Sequence, residues 1–166
     1  AFVGQGERHR AYAVLFTTTW RDAIVGGKNP GPGKPLAYLN VGESRSRGAE
    51  AGGSWLGPGR RADLSGSYVE SSDRTNSREY GAFPRVLLNA GAGLDAPRRN
   101  LEFYLNNRVH LGAREGPGGG FVPSPEKLKD YWRADLSATW RRPGGATDVY
   151  VNVLNLLDRE NFLPAI

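Results

Sequence analysis

Neither cysteine nor methionine occurs anywhere in the 166 residues. The lack of cysteine excludes a disulfide framework, a thiolate metal site and a thiol nucleophile. No apolar run approaches 18 residues, so no transmembrane helix is expected. Histidine is scarce: His9 and His110 stand far apart, with no carboxylate at a fixed spacing, and neither a metal nor a cofactor is expected. The formal charge of +5 raises nucleic acid as a partner. The basic residues recur as doublets in turns rather than along one stripe, however, and no nucleic-acid partner is expected. No initiator methionine or signal peptide precedes Ala1, which reads as a processed piece or a fragment.

Glycine and proline are plentiful, 23 and 11 residues, and they cluster between ordered-looking segments. That is the pattern of many short strands joined by turns. A mean hydropathy of −0.52 does not exclude a membrane, because a transmembrane barrel turns only alternate residues to lipid.

Alternation with period two is clearest from Tyr131 to Arg141. One face holds Trp132, Ala134, Leu136, Ala138 and Trp140; the other holds Arg133, Asp135, Ser137, Thr139 and Arg141. Indole rings favour the headgroup level of a bilayer. Eight residue steps between the two Trp residues give ~26 Å along the strand, or ~20 Å of height at a tilt near 40°. The stretch from Arg10 to Arg21 repeats that spacing, with Tyr12, Val14, Phe16, Thr18 and Trp20 on the face expected to meet lipid. From Leu101 to Leu111 an apolar face (Leu101, Phe103, Leu105, Val109, Leu111) opposes a polar one, with Asn107 the one polar intruder. Further strands are expected at 38–55, 61–71, 86–94 and 148–156, seven in all. The expected aromatic girdle is Tyr12, Trp20, Trp55, Tyr68, Phe103, Trp132 and Trp140.

Connections alternate in length: short at 56–60, 95–100 and 141–147, long at 26–35, 72–83 and 112–130. Such alternation is expected when short turns lie on one side of a membrane and long loops on the other. Each short turn carries an arginine doublet (Arg60 and Arg61, Arg98 and Arg99, Arg141 and Arg142), read as solvated turn charge or as contact with anionic headgroups. The predicted class is therefore all-β, an antiparallel up-and-down transmembrane β-barrel segment.

Three stretches resemble the C-terminal barrel of TonB-dependent outer-membrane receptors. The first is Tyr38, Asn40 and Gly42 followed by Arg47, Gly48 and Glu50, similar to Tyr-x-Asn-x-Gly and Arg-Gly-x-Glu, with Ala49 in place of Val or Ile. The second is the strand from Leu64 to Glu70, followed after a polar loop by Phe83, Pro84 and Arg85. The third matches Val-x-Asn-Leu-Phe-Asp at Val153, Asn155, Leu156 and Asp158, with Leu157 where Phe is usual. In the family's order they cover residues 10 to 162.

The resemblance implies a barrel of about 22 strands around a plug, of which residues 1–166 form a C-terminal portion lacking plug and closing strand. It implies the bacterial outer membrane, and import of a scarce bulky ligand such as a ferric siderophore or cobalamin. The implied partners are outer-membrane lipid, the rest of the barrel, the plug, and the inner-membrane TonB complex acting through N-terminal parts. Ligand contacts in such a wall are expected near its outer end, at Arg74, Arg78, Tyr80, His110, Arg114 and Tyr131.

No enzyme is expected. Gly91, Gly93 and Ala96 fit G-x-G-x-x-A, yet Pro97 and an alternating strand follow where a helix is required. Gly31, Pro32, Gly33 and Lys34 lack the leading Gly spacing of a P-loop, and Pro35 stands where Ser or Thr is needed. No Ser–His–Asp arrangement follows from the sequence. Two alternatives remain open: a self-contained small barrel with a structural, binding or enzymatic role, and a soluble basic β-protein. The Gly- and Ser-rich polar faces argue against a tightly filled small barrel.

Overall fold

The computed structural model describes residues 1–22, 24–27, 37–40, 42–74, 78–79, 84–113 and 129–161. For 24–27, 37–40, 73, 78 and 79 it describes the backbone only. Residues 31–35, Tyr80, Phe83 and Arg114, named above, lie outside the described residues, as do 162–166.

The strands are β1 (Phe2–Gln5), β2 (His9–Arg21), β3 (Ile24–Gly27), β4 (Ala37–Asn40), β5 (Glu43–Gly57), β6 (Arg60–Asp73), β7 (Arg78–Glu79), β8 (Val86–Ala96), β9 (Leu101–Leu111), β10 (Tyr131–Arg141) and β11 (Asp148–Val153). A 3-10 turn, Pro97–Arg99, links β8 to β9, and the described residues contain no α-helix. The main sheet runs β1-β2-β5-β6-β8-β9-β10-β11, all antiparallel neighbours, with β7 beside β6 and β3–β4 forming a separate hairpin. This is an up-and-down sheet of eight strands, one more than the alternation predicts. The extra one, β1, is four residues long and joins β2 through the short connection 6–8. The stretch from Tyr38 to Trp55 is two strands: β4 pairs with β3, and β5 begins after Gly42, which sits at φ +64°.

The sheet is not closed. Among the described residues β1 pairs with β2 alone and β11 with β10 alone. That disfavours a self-contained barrel, in which the two edges would meet.

Register decides which side chains share a face, because directly paired residues point the same way. One transverse row reads Phe2, Ala13, Ala51, Gly66, Leu88, Val109 and Trp132. The next row up the barrel wall on the opposite face reads Val14, Glu50, Ser67, Leu87, His110 and Tyr131. The sheet therefore has one apolar and one polar face. Of the apolar face, Leu15 is 82% exposed, Leu64 62% and Val151 58%, and among the described residues the only buried hydrophobic one is Ala134. Among the described residues no second layer covers this face, and a contiguous exposed apolar face marks a surface for lipid or for protein.

Trp55, Tyr68, Phe103, Trp132 and Trp140 lie on the apolar face. Tyr12 and Trp20 do not: they pair with Gly52 and Ser44 and share the polar face with Glu50. This corrects the expected girdle. The two faces of β2 are nearly equal in hydropathy, so its own alternation does not decide its orientation, whereas pairing with β5 does. Asn107, on the apolar face, accepts a hydrogen bond from the Trp132 indole Nε1 at 3.4 Å, which gives the polar intruder a partner.

Candidate functional site

The polar face carries two clusters. In the lower one, nearer the short turns, the Tyr104 hydroxyl donates to Asp63 Oδ1 at 2.6 Å, and the Arg61 guanidinium lies over the Tyr104 ring, 4.4 Å from its centroid. Arg61 Nη2 and Arg141 Nη2 approach the two oxygens of Glu102 at 3.0 and 2.8 Å. The strands β6, β9 and β10 supply these groups, and their antiparallel register brings residues far apart in sequence together. Arg61 and Arg141 each come from a turn doublet. Alternation splits a doublet between faces, so one arginine of each reaches the polar face and pairs with a carboxylate instead of standing as solvated turn charge.

The wall beneath this cluster is kept low by glycine. A Cβ on Gly91 would run into the Tyr104 hydroxyl and stand 2.5 and 2.7 Å from the Asp63 oxygens. Across the sheet the Phe16 ring lies on Gly48 in the same manner.

The upper cluster is built on β9 and β10. His110 and Tyr131, directly paired, stack with centroids 4.6 Å apart and planes 17° apart. In the next polar row Arg133 faces Arg108. Two like charges side by side repel; Arg133 is compensated by Asp135, whose Oδ1 it meets at 2.7 Å. The same oxygen accepts the Asn155 backbone N–H at 2.8 Å. Arg108 makes no ion pair among the described residues, and its guanidinium is left as an anion-seeking group beside the stacked rings.

Asn155 belongs to the segment in which β11 ends, three residues before the expected Leu156. Asn155 and Asp158 adopt φ +54° and +48°, where Asn and Asp are the favoured non-glycine residues. Leu156 N–H then donates to Ala134 O at 2.7 Å, and Asn161 Oδ1 accepts the Trp132 N–H at 2.9 Å. The segment thus takes over the upper edge of β10 that β11 vacates.

Of the six expected ligand-facing residues, the structure unites His110 and Tyr131. Arg74 lies at the end of β6, where its N–H donates to Glu43 O at 2.8 Å. Arg78 is in β7, paired with Asp73, its side chain outside the described residues; Tyr80 and Arg114 lie outside them entirely. Arg108, beside the stack, was legible as a polar-face residue but not as a neighbour of Arg133. Among the described residues no group of three or more His, Cys, Asp or Glu gathers to hold a metal ion.

A family model described as TonB dependent receptor-like, beta-barrel, matches residues 2–156. A solved structure named copper transporter OprC is similar with a TM-score of 0.77 at 19% identity, over 96% of this chain and 24% of that one. The chain therefore spans 24% of that structure's length, and the likeness is one of fold. A comparison with curated proteins finds no match.

Proposed function

Because this chain belongs to the TonB-dependent receptor-like β-barrel family, we propose that it forms part of the wall of an outer-membrane receptor that imports a scarce, bulky ligand. The observation that carries the reading is the two-faced sheet: large apolar side chains on one face with none of the described residues over them, and ion-pair clusters on the other. In a barrel these faces meet lipid and lumen. The free edges of β1 and β11 call for further strands of the same barrel. A plug and the TonB complex complete the proposed machine. The family and the solved relative are named for reception and transport, and no catalytic step is assigned to this wall.

The relative's name points to copper. This stretch of wall contains no cysteine or methionine, so it offers copper no soft sulfur ligand. Arg108 beside the His110–Tyr131 stack suits instead an anionic chelate with flat groups, of which a ferric siderophore is the best fit; cobalamin matches the bulk but not the charge. The test is uptake of a labelled ferric chelate by cells whose only receptor is the full-length protein. Uptake should require TonB, and Arg108→Gln should weaken chelate binding about tenfold, the worth of one charge-assisted contact. Uptake indifferent to TonB would overturn the transport reading, and unchanged binding by the variant would remove Arg108 from the site.

A further inference from the structure

The apolar face is not uniform. On β8 to β11 large Leu, Val, Phe and Trp side chains alternate with Ala90, Ala92, Ala134 and Ala138. Along β5 its floor is Ala49, Ala51 and Gly53, continued onto β2 by Ala11 and Ala13, a shallow trough in which exposed Leu15 and Tyr68 flank Ala49 and exposed Leu64 flanks Gly53. Trp55 stands at the lower end, in the row of His9 and Ala62. The upper end is different in chemistry. In successive rows of the same face Thr17 pairs with Arg47 and Thr19 with Arg45.

Arg45 Nε donates to Thr17 Oγ1 at 3.3 Å and makes no ion pair among the described residues. Arg47 Nε and Nη2 meet a single oxygen of Glu70 at 2.9 and 2.7 Å, and its side chain remains 66% exposed. The Tyr68 hydroxyl holds the other Glu70 oxygen. Each guanidinium carries five N–H donors in a fixed fork, and these contacts use one on Arg45 and two on Arg47. From Arg47 to Trp55 is eight residue steps, ~20 Å of depth at barrel tilt, more than the ~15 Å of one leaflet's hydrocarbon.

We infer that this trough seats one phosphate-bearing lipid of the outer leaflet, its phosphate between Arg45 and Arg47 and its chains along the Ala and Gly floor. The inference rests on the membrane-spanning reading above. Arginine forks match phosphate geometry, and small side chains let a chain lie against the strands over its length, where dispersion contacts accumulate. Glu70 holds Arg47 in place and also competes with the phosphate for it.

The full-length protein, purified in detergent, is mixed with dimyristoyl phosphatidic acid, dimyristoyl phosphatidylcholine or dimyristoyl glycerol, and retained lipid is counted by native mass spectrometry. Phosphatidic acid should be kept as one molecule per protein, about tenfold in excess over the other two. Inorganic phosphate should not displace it. Arg45→Gln with Arg47→Gln should erase the preference, Glu70→Gln should raise it, and Ala51→Phe should lower retention with both arginines in place. Equal retention of the three lipids by the native protein, or an unaltered preference in the arginine variant or in Glu70→Gln, overturns the site while leaving the membrane reading intact. A protein that binds no lipid and stays dispersed without detergent overturns the membrane reading itself.

Discussion

Among the described residues Gly91 is the one buried position of the polar face, and its burial comes from side chains of neighbouring strands lying down over it. Tyr104 crosses it to reach Asp63, and Arg61 covers the Tyr104 ring from the other side. A methyl group at this position has to push the hydroxyl or the carboxylate off the wall. Gly91→Ala should therefore destabilise the barrel by about 1–3 kcal/mol, the usual cost of overpacking. In a background carrying Tyr104→Phe and Asp63→Ala the same change should cost under about 0.5 kcal/mol, since its obstacles are gone. Denaturant unfolding in detergent micelles measures both. An equal cost in the two backgrounds would show that backbone freedom, not the overlying side chains, selects glycine here. In the sequence this glycine reads as a polar-face residue of the 86–94 strand and as part of a spurious nucleotide-binding pattern; its contacts are not legible there, because the residues that press on it come from other strands.

At the scale of elements, β9 and β10 have the bounds that alternation predicts, since their two faces differ sharply in polarity. Where contrast is low, prediction is weaker. The facing of β2 follows from its register with β5 and from nothing within its own residues, as Leu15 and Phe16 are equally good lipid neighbours. The stack of His110 on Tyr131 was approachable, because both stand at the outer ends of adjacent polar faces; its partner Arg108 needed the register.

The end of β11 carries the clearest local code. Asn155 at φ +54° turns its N–H onto Asp135 and sends the chain to Leu156, whose N–H serves Ala134. Asn155→Gly should keep this turn, whereas Asn155→Val, β-branched in a left-handed conformation, should cost about 1–2 kcal/mol. Hydrogen exchange at the Leu156 and Trp132 amides reads the difference. Equal protection in the two variants would mean that the downstream segment, not Asn155, fixes the break.

At the scale of the whole molecule, the apolar face fixes the tilt of strands that the open sheet does not close. The lower margin of that face runs from Trp140 on β10, through Leu94 on β8 and Trp55 on β5, to Ala11 on β2. The residue of β10 in register with Ala11 is Ala134, reached through Gly53, Leu64, Ala90 and Asn107, and it lies six residues above Trp140. Across those five strand pairs the margin therefore climbs ~20 Å along the strands over ~24 Å of sheet, a tilt of about 40°. Transmembrane barrels tilt their strands by about 35–45°, so under the membrane-spanning reading proposed above a level membrane edge requires this tilt.

Trp55 and Trp140 make that quantitative. Trp55 is in register with Leu136, four residues above Trp140, so with upright strands it would sit ~13 Å higher in the membrane. With the tilt the two indoles fall within ~3 Å of one depth. Fluorescence of single-tryptophan variants in lipids brominated at successive chain positions measures that depth directly. Trp55 and Trp140 should give matching quenching profiles, and Trp20, on the polar face, should be quenched weakly by every lipid. Profiles for Trp55 and Trp140 displaced by many carbons would sink the tilt, and strong quenching of Trp20 would reverse the facing of β2. Since the facing of β2 also places Thr17 beside Arg45 and Ala13 beside Ala51, the Trp20 measurement bears on the lipid seat as well. A β2 turned the other way would put Tyr12 and Val14 where Ala11 and Ala13 now extend the floor, and Phe16 beside Leu15's present place, leaving no room for a chain.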